Sequence, residues 1–407
     1  MPKKNSLLAE SKEIRSVDLF VTEQCNLACE YCFHVPSNMT ITLETGKMII
    51  DRLHGINDKE MLITFFGGEP LLYPELVLDL AIYARTLWAP RKLPDGSKEQ
   101  TLRFNISTNG TYFDKAMFMK YKDLGFKMQI SIDGDKETTE LSRKGINYDR
   151  VIENIKGILA IFPEAGVRMT FTPDTVGRLA INIMYLNQLG FNNIMHHAVM
   201  EANWTTESVE QYSYQLKQIY HYRRYVKKNG STLDINFIDS PLRVLNDDKM
   251  TDNNYCEAGK TYLGILPNGD VYSCHRAASA KKFKLGNILD DSMPIIRGMF
   301  LTIDKTSTGC SARCPASRTC HTCVFTHFIV NNSLAKPIDK YCRICQVEHS
   351  MAETYLQTEL NDKHERKLEL IGNILADLSE QYTELQEDVL KLSLLSSSQE
   401  VNNVRTG

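Results

Sequence analysis

The stretch Ser16–His34 reads SVDLFVTEQCNLACEYCFH, and it joins a short apolar strand to a loop with three cysteines. Cys25, Cys29 and Cys32 follow the predicted strand with the spacing C-x3-C-x2-C. In β/α folds, the loops that leave the carboxyl ends of the strands carry the chemistry. Three thiolates on so short a loop can bind three irons of a [4Fe–4S] cluster and leave the fourth iron open to a small molecule. A zinc site with one ligand missing, or a chance spacing, is the alternative.

Predicted strands and helices alternate from this stretch to about residue 200. The strands are Ser16–Val21, Met61–Phe66, Leu102–Ser107, Lys127–Ile132, Val167–Thr172 and Asn193–Val199. The helices are Ile41–His54, with Thr42 as its N-cap, Pro74–Trp88, Phe113–Asp123, Arg150–Phe162 and Gly177–Leu189. The alternation indicates parallel strands with right-handed crossovers. Six units are too few for a closed eight-stranded barrel, so we expect an α/β fold with a partial barrel whose open side suits a large substrate.

The composition is that of an ordinary globular chain. The 407 residues carry a formal net charge of -3, with 47 Lys and Arg against 50 Asp and Glu. This balance predicts neither nucleic-acid binding nor an anionic-membrane patch. An uninterrupted apolar run of about 18 residues is absent, as is a signal-peptide core, so we expect a cytoplasmic protein with no membrane partner.

The 11 cysteines are clustered along the chain. Three lie between Cys25 and Cys32, and the other eight lie between Cys256 and Cys345. In a reducing compartment a disulfide framework is disfavoured, and clustered cysteines usually bind metal.

Several motifs together resemble the radical S-adenosylmethionine (SAM) superfamily. Cys25-x3-Cys29-Glu30-Tyr31-Cys32 is similar to its cluster signature, and Gly67-Gly68-Glu69-Pro70 ends the second predicted strand as its GGEP motif does. Similar motifs end later strands, namely Ser107-Thr108-Asn109-Gly110 and Ser131-Ile132-Asp133-Gly134, with Arg143 shortly after. The resemblance covers residues 17–200 and implies a SAM-binding [4Fe–4S] cluster that cleaves SAM reductively to a 5′-deoxyadenosyl radical.

The same resemblance implies SAM contacts. Ser131 and Arg143 are expected near the ribose and the carboxylate of SAM, with a surface arginine as the alternative for Arg143. Glycines permit close backbone approach to a ligand, and Glu69 can receive the ammonium of an amino acid. Tyr31 is expected on the adenine side. The weaker candidates Ser107 and Asn109 suit a turn equally well.

The carboxy-terminal cysteines resemble a SPASM domain, an extension of peptide-modifying radical SAM enzymes. Cys256-x12-Gly269-x4-Cys274 is similar to its opening, with Asn268-Gly269 predicting a hairpin. The pattern continues as Cys310-x3-Cys314-x5-Cys320-x2-Cys323 and ends in Cys342-x2-Cys345, so the outer spacings are exchanged and the last cysteine is doubled. Apart from the two strands of this hairpin, we expect little regular structure in the cysteine-rich region.

Eight thiolates suffice for two auxiliary [4Fe–4S] clusters. The resemblance implies that Cys256, Cys274 and Cys323 hold the nearer cluster, and that Cys310, Cys314 and Cys320, with Cys342 or Cys345, hold the farther one. Two structural zinc ions are the rival interpretation. The expected domains are an N-terminal segment at 1–16, the partial barrel at 17–203, a helical bridge at 204–249, the SPASM domain at 250–349 and a heptad helix at 350–407.

Three histidines have competing interpretations. His275 follows Cys274, where sulfatase-activating relatives carry an Asp as the proposed base, so His275 is either a proton acceptor or a local hydrogen-bonding residue. His196 and His197 end the sixth predicted strand as packing or SAM-adjacent residues rather than catalysts.

The resemblance implies a maturase that installs a thioether, C–C or C–O crosslink in a ribosomally made precursor peptide. A sulfatase-type maturase that oxidises Cys or Ser to formylglycine and a non-catalytic metal-binding scaffold are the alternatives. Expected partners are the precursor peptide, an electron donor such as flavodoxin or ferredoxin, and a separate leader-binding protein. That protein, the bridge helix or the tail would recognise the leader, since only 24 residues precede Cys25.

The tail carries a heptad stripe of apolar residues. Its members are Leu368, Ile371, Leu375, Leu378, Tyr382, Leu385, Val389 and Leu392. The stripe predicts a long helix that packs on its own protein or forms a coiled-coil contact with a partner.

Overall fold

The structure is a computed structural model that describes residues 14–88, 90–92, 98–99, 101–247, 257–290, 314–361, 367 and 371. Its strands, in chain order, are β1 Ser16–Thr22, β2 Ala28–Cys29, β3 Met61–Gly67, β4 Arg91–Lys92, β5 Lys98–Glu99, β6 Leu102–Thr108, β7 Phe126–Ser131, β8 Arg143–Lys144, β9 Gly166–Phe171, β10 Asn193–Ala198, β11 Asp234–Ile235, β12 Tyr262–Ile265, β13 Asp270–Tyr272 and β14 Lys284–Asn287.

Ten of these strands form one sheet. Their order is β11-β10-β9-β7-β6-β3-β1-β12-β13-β14, and two separate pairs, β2-β8 and β4-β5, complete the strands described. All neighbours from β11 to β12 are parallel. The six predicted strands correspond to β1, β3, β6, β7, β9 and β10, which confirms an α/β fold around a parallel sheet. Within the described residues the sheet keeps two free ends, as a partial barrel requires.

The helices lie between the strands as expected. They are α1 Leu43–Ile56, α2 Pro74–Leu87, α3 Lys115–Asp123, α4 Lys136–Ser142, α5 Tyr148–Ile161, α6 Leu179–Leu189, α7 Thr206–Lys228, α8 Asn236–Asn246, α9 Val324–Asn331 and α10, which begins at residue 339. The Thr42 hydroxyl accepts a hydrogen bond from Thr45 N at 3.1 Å, so the predicted cap of α1 is confirmed. The sequence did not predict the short elements α4, β2 and β8.

Alternating burial explains why these segments are strands with one face in the core. In β3, Met61, Ile63 and Phe65 are fully buried while the residues between them are partly exposed. Phe65 stacks on Phe126, with ring centroids 5.7 Å apart, and Phe126 stacks on Phe104 at 4.8 Å. These contacts hold neighbouring strands in register, so the carboxyl ends of β1, β3, β6 and β7 lie along one edge of the sheet.

The expectation of little regular structure in the cysteine-rich region is wrong for its described part. β12 pairs in parallel with β1, and β13 and β14 extend the same sheet antiparallel. The Asn268-Gly269 hairpin is confirmed, since Gly269 has φ +84° between β12 and β13. Backbone pairing to the barrel sheet therefore contributes to the structure of this region. The same pairing brings Cys274 near β1.

The chain forms two compact units, Met1–Ala352 and Glu353–Gly407. In the second unit, residues 353–361 are helical, as are 367 and 371. Apart from Ile371, the predicted heptad stripe lies outside the described residues. Among the described helices, none combines the length and the hydropathy that crossing a bilayer requires.

Candidate functional site

The three amino-terminal cysteines lie on a loop at the carboxyl end of β1, which we call the cysteine loop (23–34). A two-residue strand pair ties this loop to the segment after α4, with Cys29 opposite Arg143. Glu30 N also donates to Ser142 O at 3.0 Å, and Cys32 N donates to Cys29 O at 3.0 Å. The predicted ligands and Arg143 are therefore brought together by backbone pairing.

Gly67 and Gly68 face the cysteine loop. A Cβ atom at Gly67 would lie 2.0 Å from the Thr22 carbonyl oxygen, and one at Gly68 would lie 2.0 Å from that of Gln24. Gly68 N donates to Thr22 O at 2.9 Å, and Glu69 N donates to Gln24 O at 2.8 Å. The two glycines thus permit close approach of the start of the cysteine loop, where we expected approach of a ligand.

Glu69 follows Gly68 directly, and its side chain is buried, with 1% of the residue exposed. Its Oε1 accepts hydrogen bonds from Leu71 N at 3.0 Å and Thr108 Oγ1 at 2.8 Å, and its Oε2 accepts one from Asn109 N at 2.7 Å. Burial nevertheless raises the pKa of this carboxyl to about 7. Glu69 therefore joins the ends of β3 and β6, and its expected contact with an ammonium group stays a prediction.

Asp133 is one of the residues to which the sequence analysis assigned no role. It is fully buried and binds Arg143 through two hydrogen bonds, from Nε to Oδ2 at 3.0 Å and from Nη2 to Oδ1 at 2.9 Å. The Tyr31 hydroxyl donates to Oδ2 at 2.6 Å, and Thr170 N donates to Oδ1 at 2.9 Å. Arg143 is therefore buried, contrary to the surface alternative, and its guanidinium lies 5.6 Å from the Tyr31 ring centroid. An acid at the end of a strand, ten residues before an arginine, was the available signal.

The other predicted SAM contacts lie along the same edge of the sheet. Asn109 donates through Nδ2 to Asn26 Oδ1 of the cysteine loop at 2.9 Å, and its Oδ1 accepts from Thr111 N at 3.0 Å. Asn109 thus shapes a turn and also contacts the loop. Ser107 and Ser131 are partly exposed near the ends of β6 and β7, and the buried Pro70 starts a short 3-10 helix.

Burial favours the protonated form of the Cys25 and Cys29 thiols in the absence of metal. Burial raises the pKa of Cys25, and it raises that of Cys29 to about 11, with the positive charge of Arg143 opposing the rise. Each thiol also interacts electrostatically with the charge of Cys32, which places the three near one another. A metal centre that binds them displaces these protons.

The three thiols of the cysteine loop lie within eight residues of one another in the chain, as ligands of one metal centre can. In a [4Fe–4S] cluster each sulfur binds a different iron, so the loop fits the cluster.

His275 belongs to a partly buried hydrogen-bonded group with Asp18 and Tyr262. Its Nδ1 lies 2.6 Å from Asp18 Oδ2 and 2.5 Å from the Tyr262 hydroxyl, which also donates to Asp18. The His275 ring packs on Phe66, with ring centroids 4.9 Å apart. These contacts are the ones expected of a local hydrogen-bonding residue. Proton transfer by His275 stays a prediction. Asp18 was detectable as an acid within an apolar strand.

The carboxy-terminal cysteines are only partly described, because Cys256 and Cys310 lie outside the described residues. Cys274 and Cys345 are buried, and Cys314, Cys320, Cys323 and Cys342 are partly exposed. A hydrogen bond joins the Cys320 and Cys345 thiols and helps to raise the pKa of Cys345. The structure therefore places these two cysteines together, and the remaining ligand assignments stay predictions.

A cavity of about 1000 Å³ opens beside the cysteine loop. Its lining includes Cys32 and Phe33 of the loop, Thr172 after β9, Val199 after β10, Gln211 of α7 and Ser279 of the cysteine-rich region. Arg276 links these parts, since its Nη2 bonds Glu201 at the rim, its Nε donates to Thr326 Oγ1 at 2.8 Å and its guanidinium lies 5.1 Å from the Phe33 ring centroid. The predicted cluster site therefore borders a space larger than one small cofactor needs.

Two family models match the chain. The Radical SAM superfamily model matches residues 19–177, and the SPASM model, an iron-sulfur cluster-binding domain, matches residues 256–324. The Fe-coproporphyrin III synthase of Methanosarcina barkeri is 31% identical over 178 residues, which cover 42% of this chain. The match spans only 40% of that relative's length.

Solved structures share the fold. The structure of anSMEcpe, an anaerobic sulfatase maturase, with bound AdoMet has a TM-score of 0.69 at 19% identity and covers 85% of this chain and 99% of its own. Streptococcus suis SuiB bound to its precursor peptide SuiA has a TM-score of 0.57 at 16% identity and covers 83% of this chain and 78% of its own.

The two matched domains imply the cofactors of this chain. A radical SAM domain implies a [4Fe–4S] cluster and SAM, and a SPASM domain implies auxiliary iron-sulfur clusters. The geometry of the cysteine loop fits the first of these groups. The chain therefore contains a radical SAM domain and a SPASM domain.

Proposed function

We propose that this enzyme crosslinks a ribosomally synthesised precursor peptide through a thioether, C–C or C–O bond. The cavity beside Cys32 carries the proposal, because about 1000 Å³ exceeds the volume that one small substrate group needs. Its walls come from both matched domains, so a bound peptide would touch the barrel and the SPASM region together. The SuiB structure, which holds a precursor peptide, supports this choice of substrate class.

In this proposal Cys25, Cys29 and Cys32 hold the SAM-binding cluster. The residues that would hold SAM are Tyr31, Gly67, Gly68, Glu69, Pro70, Ser107, Asn109, Ser131 and Arg143. When bound, these groups supply a 5′-deoxyadenosyl radical that removes one hydrogen atom from the peptide, and the auxiliary clusters supply an electron acceptor. The chain's own part is to orient the reacting carbon and to exclude water.

Arg143 has a defined task in this arrangement. Its Nε and Nη2 donate to Asp133, so the guanidinium is held in one orientation beside the Tyr31 ring of the cysteine loop. A planar guanidinium held in this way suits recognition of the SAM carboxylate. Phe33 lines the cavity and the Arg276 guanidinium packs on its ring, so this pair would support the bound peptide.

The reaction balances without a further oxidant. One hydrogen atom leaves as part of 5′-deoxyadenosine, and ring closure releases a proton and an electron. The crosslinked peptide is therefore two hydrogen atoms lighter than its precursor.

The experiment is anaerobic incubation of the reconstituted enzyme with SAM, dithionite and peptides encoded beside its gene. We expect 5′-deoxyadenosine and a peptide two hydrogens lighter that does not react with a hydrazine probe. Cys29→Ser should abolish both products. A hydrazine-reactive aldehyde would identify the sulfatase-type alternative, which the anSMEcpe fold match favours.

Two other outcomes would contradict the proposal. Formation of 5′-deoxyadenosine while every candidate peptide keeps its mass would argue against peptide crosslinking. Absence of 5′-deoxyadenosine in a fully iron-loaded preparation would favour the non-catalytic scaffold.

A further inference from the structure

One charged side chain of the barrel has no task in the function proposed above. On β9, Val167, Met169 and Phe171 are buried in the core of the protein. Arg168 lies between them and is only partly exposed. Successive side chains of a strand point to opposite faces of the sheet, so Arg168 projects from the face opposite this core.

That face is concave. Four steps separate β9 from β1 in the sheet order, which is about 19 Å along a flat sheet. Arg168 nevertheless lies within electrostatic range of Asp18 on β1, of Tyr262 on β12 and of Tyr31 on the cysteine loop. The sheet must therefore curve, so that these side chains face one another across a space that we call the hollow (Asp18, Tyr31, Arg168, His197 and Tyr262).

The hollow is enclosed by protein and still open to a ligand. Burial lowers the pKa of the Arg168 guanidinium, and the charge of Asp18 opposes this fall. Burial also lowers the pKa of His197 on the neighbouring strand β10, and the charge of Arg168 adds to that fall. Because Arg168 keeps part of its accessible surface, a ligand in the hollow can reach it.

The guanidinium of Arg168 has no anionic partner within the part of the chain that the structure describes. It donates no hydrogen bond to a described residue and forms no ion pair with one. Other arginines of the interior differ, since Arg143 binds Asp133 and Arg223 binds Asp239. Arg168 is therefore unusual in facing the interior without a carboxylate.

Asp18 does not supply the missing carboxylate. Its Oδ2 accepts a hydrogen bond from the Tyr262 hydroxyl and lies 2.6 Å from Nδ1 of His275. A buried cation that lacks an anion is costly, and replacing the water around it with a bound anion removes that cost. The hollow is thus prepared for an anionic group that comes from outside the chain.

The position of Arg168 indicates what this group belongs to. Arg168 is the register partner of Ser131, a predicted SAM contact, and Ile132 N donates to Arg168 O at 3.1 Å. From there the side chain extends across the hollow toward Asp18. A molecule held by Arg168 would lie beside the predicted SAM site. A planar guanidinium suits a carboxylate, because it can donate two parallel hydrogen bonds.

We propose that Arg168 binds a carboxylate of the peptide substrate inside the hollow, from an Asp or Glu side chain or from the C-terminus. This inference rests on the proposed peptide substrate and narrows it to one with an acidic group beside the reacting carbon. SAM is the other source of a carboxylate, and Arg143 is the residue expected to bind that one. Arg168 would therefore set specificity for the peptide.

The first measurement needs no peptide. Denaturant titration compares the wild type with Arg168→Met, both as reconstituted full chains with SAM bound. The variant should have a higher unfolding midpoint, because it removes a charge without a partner. Arg150→Met, at an exposed position of α5, is the matched control and should keep the wild-type midpoint. A lower midpoint in Arg168→Met would mean that Arg168 has a partner within the protein, and it would overturn the proposal.

The second measurement compares carboxylate and amide ligands without reductant. The probes are N-acetylglutamate N-methylamide and its glutamine counterpart, followed by peptides encoded beside the gene with each acidic group converted to its amide. The wild type should bind the glutamate probe, and one acidic form of the peptide, at least about tenfold more tightly than the amide. Arg168→Met should lose this preference, and Arg150→Met should keep it.

The third measurement separates the two sources of a carboxylate. The dissociation constant of SAM should stay within about twofold of the wild type in Arg168→Met and rise at least about tenfold in Arg143→Met. A tenfold loss of SAM affinity in Arg168→Met would assign the carboxylate to SAM and overturn the proposal.

The wild-type probes keep the test decisive if Arg168→Met fails to fold. Equal affinity of the wild type for the glutamate and glutamine probes would overturn the proposal. Crosslinking of a peptide with every acidic group converted to an amide, at unchanged affinity, would overturn this inference alone. A preference for the glutamate probe with no crosslinked product would instead count against the proposed function.

Discussion

Asp133 and Arg143 form a buried, doubly hydrogen-bonded ion pair at the carboxyl edge of the sheet, with side chains 0% and 6% exposed. The pair lies between β7 and β2, the strand that holds Cys29. Asp133 also accepts a hydrogen bond from the Tyr31 hydroxyl. One carboxylate therefore connects the cysteine loop, the predicted SAM-binding arginine and the sheet.

Asp133→Ala should destabilise the chain strongly, because it leaves the Arg143 charge buried without its partner. The expected loss is about 3–5 kcal/mol of unfolding free energy, measured by denaturant titration of the reconstituted enzyme. Iron content should fall as well, since Tyr31 loses its anchor. Asp149→Asn breaks an exposed pair with Lys136 and should leave the unfolding midpoint unchanged. Equal effects of the two substitutions would contradict this role.

Gly68→Ala should displace the cysteine loop, because the added Cβ would lie 2.0 Å from the Gln24 carbonyl oxygen. We expect loss of iron from the amino-terminal cluster, measured as iron per chain and as the cluster's electron paramagnetic resonance signal. Gly55→Ala in α1 is the control, since a Cβ atom added there would have no other atom within 4 Å. It should stabilise the helix by about 0.5–1 kcal/mol and keep the iron. Normal cluster content in Gly68→Ala would show that the loop tolerates the shift.

His196 should make stability depend on pH. Burial lowers its pKa from 6.5 to about 3, so the folded state keeps the ring neutral where the unfolded chain binds a proton. The unfolding free energy should therefore fall below pH 6.5, by about 1.4 kcal/mol for each pH unit from this residue. The ring packs edge-on against Phe237 at 4.7 Å, so His196→Phe keeps an aromatic side chain.

The measurement compares denaturation of the wild type and His196→Phe between pH 5.5 and 7.5, and the variant should lose this slope. The exposed His221→Phe should keep the wild-type slope. An identical pH dependence in His196→Phe and the wild type would show that this histidine is not buried as described.

Ser279→Trp should fill part of the cavity beside Cys32. If the precursor peptide binds there, its affinity should fall at least about tenfold, or about 1.4 kcal/mol, in a fluorescence binding assay. SAM cleavage without peptide should persist, because Ser279 lies outside the predicted SAM contacts. Ser231→Trp, in the exposed turn after α7, is the control. Unchanged affinity in Ser279→Trp would place the peptide elsewhere.

Local patterns in the sequence determined the six barrel strands, the cap at Thr42, the hairpin at Asn268-Gly269 and the cysteine loop. Periodic burial, capping and turn chemistry act over a few residues, so they can be read without the fold. Only the tertiary structure decided that Asp133 binds Arg143 and that Gly67 and Gly68 contact the start of the cysteine loop. It also decided that His321 lies beside Cys345 and Glu348. Those contacts join residues that lie far apart in the chain or on different elements, and they depend on strand register and on helix packing, which no local pattern specifies.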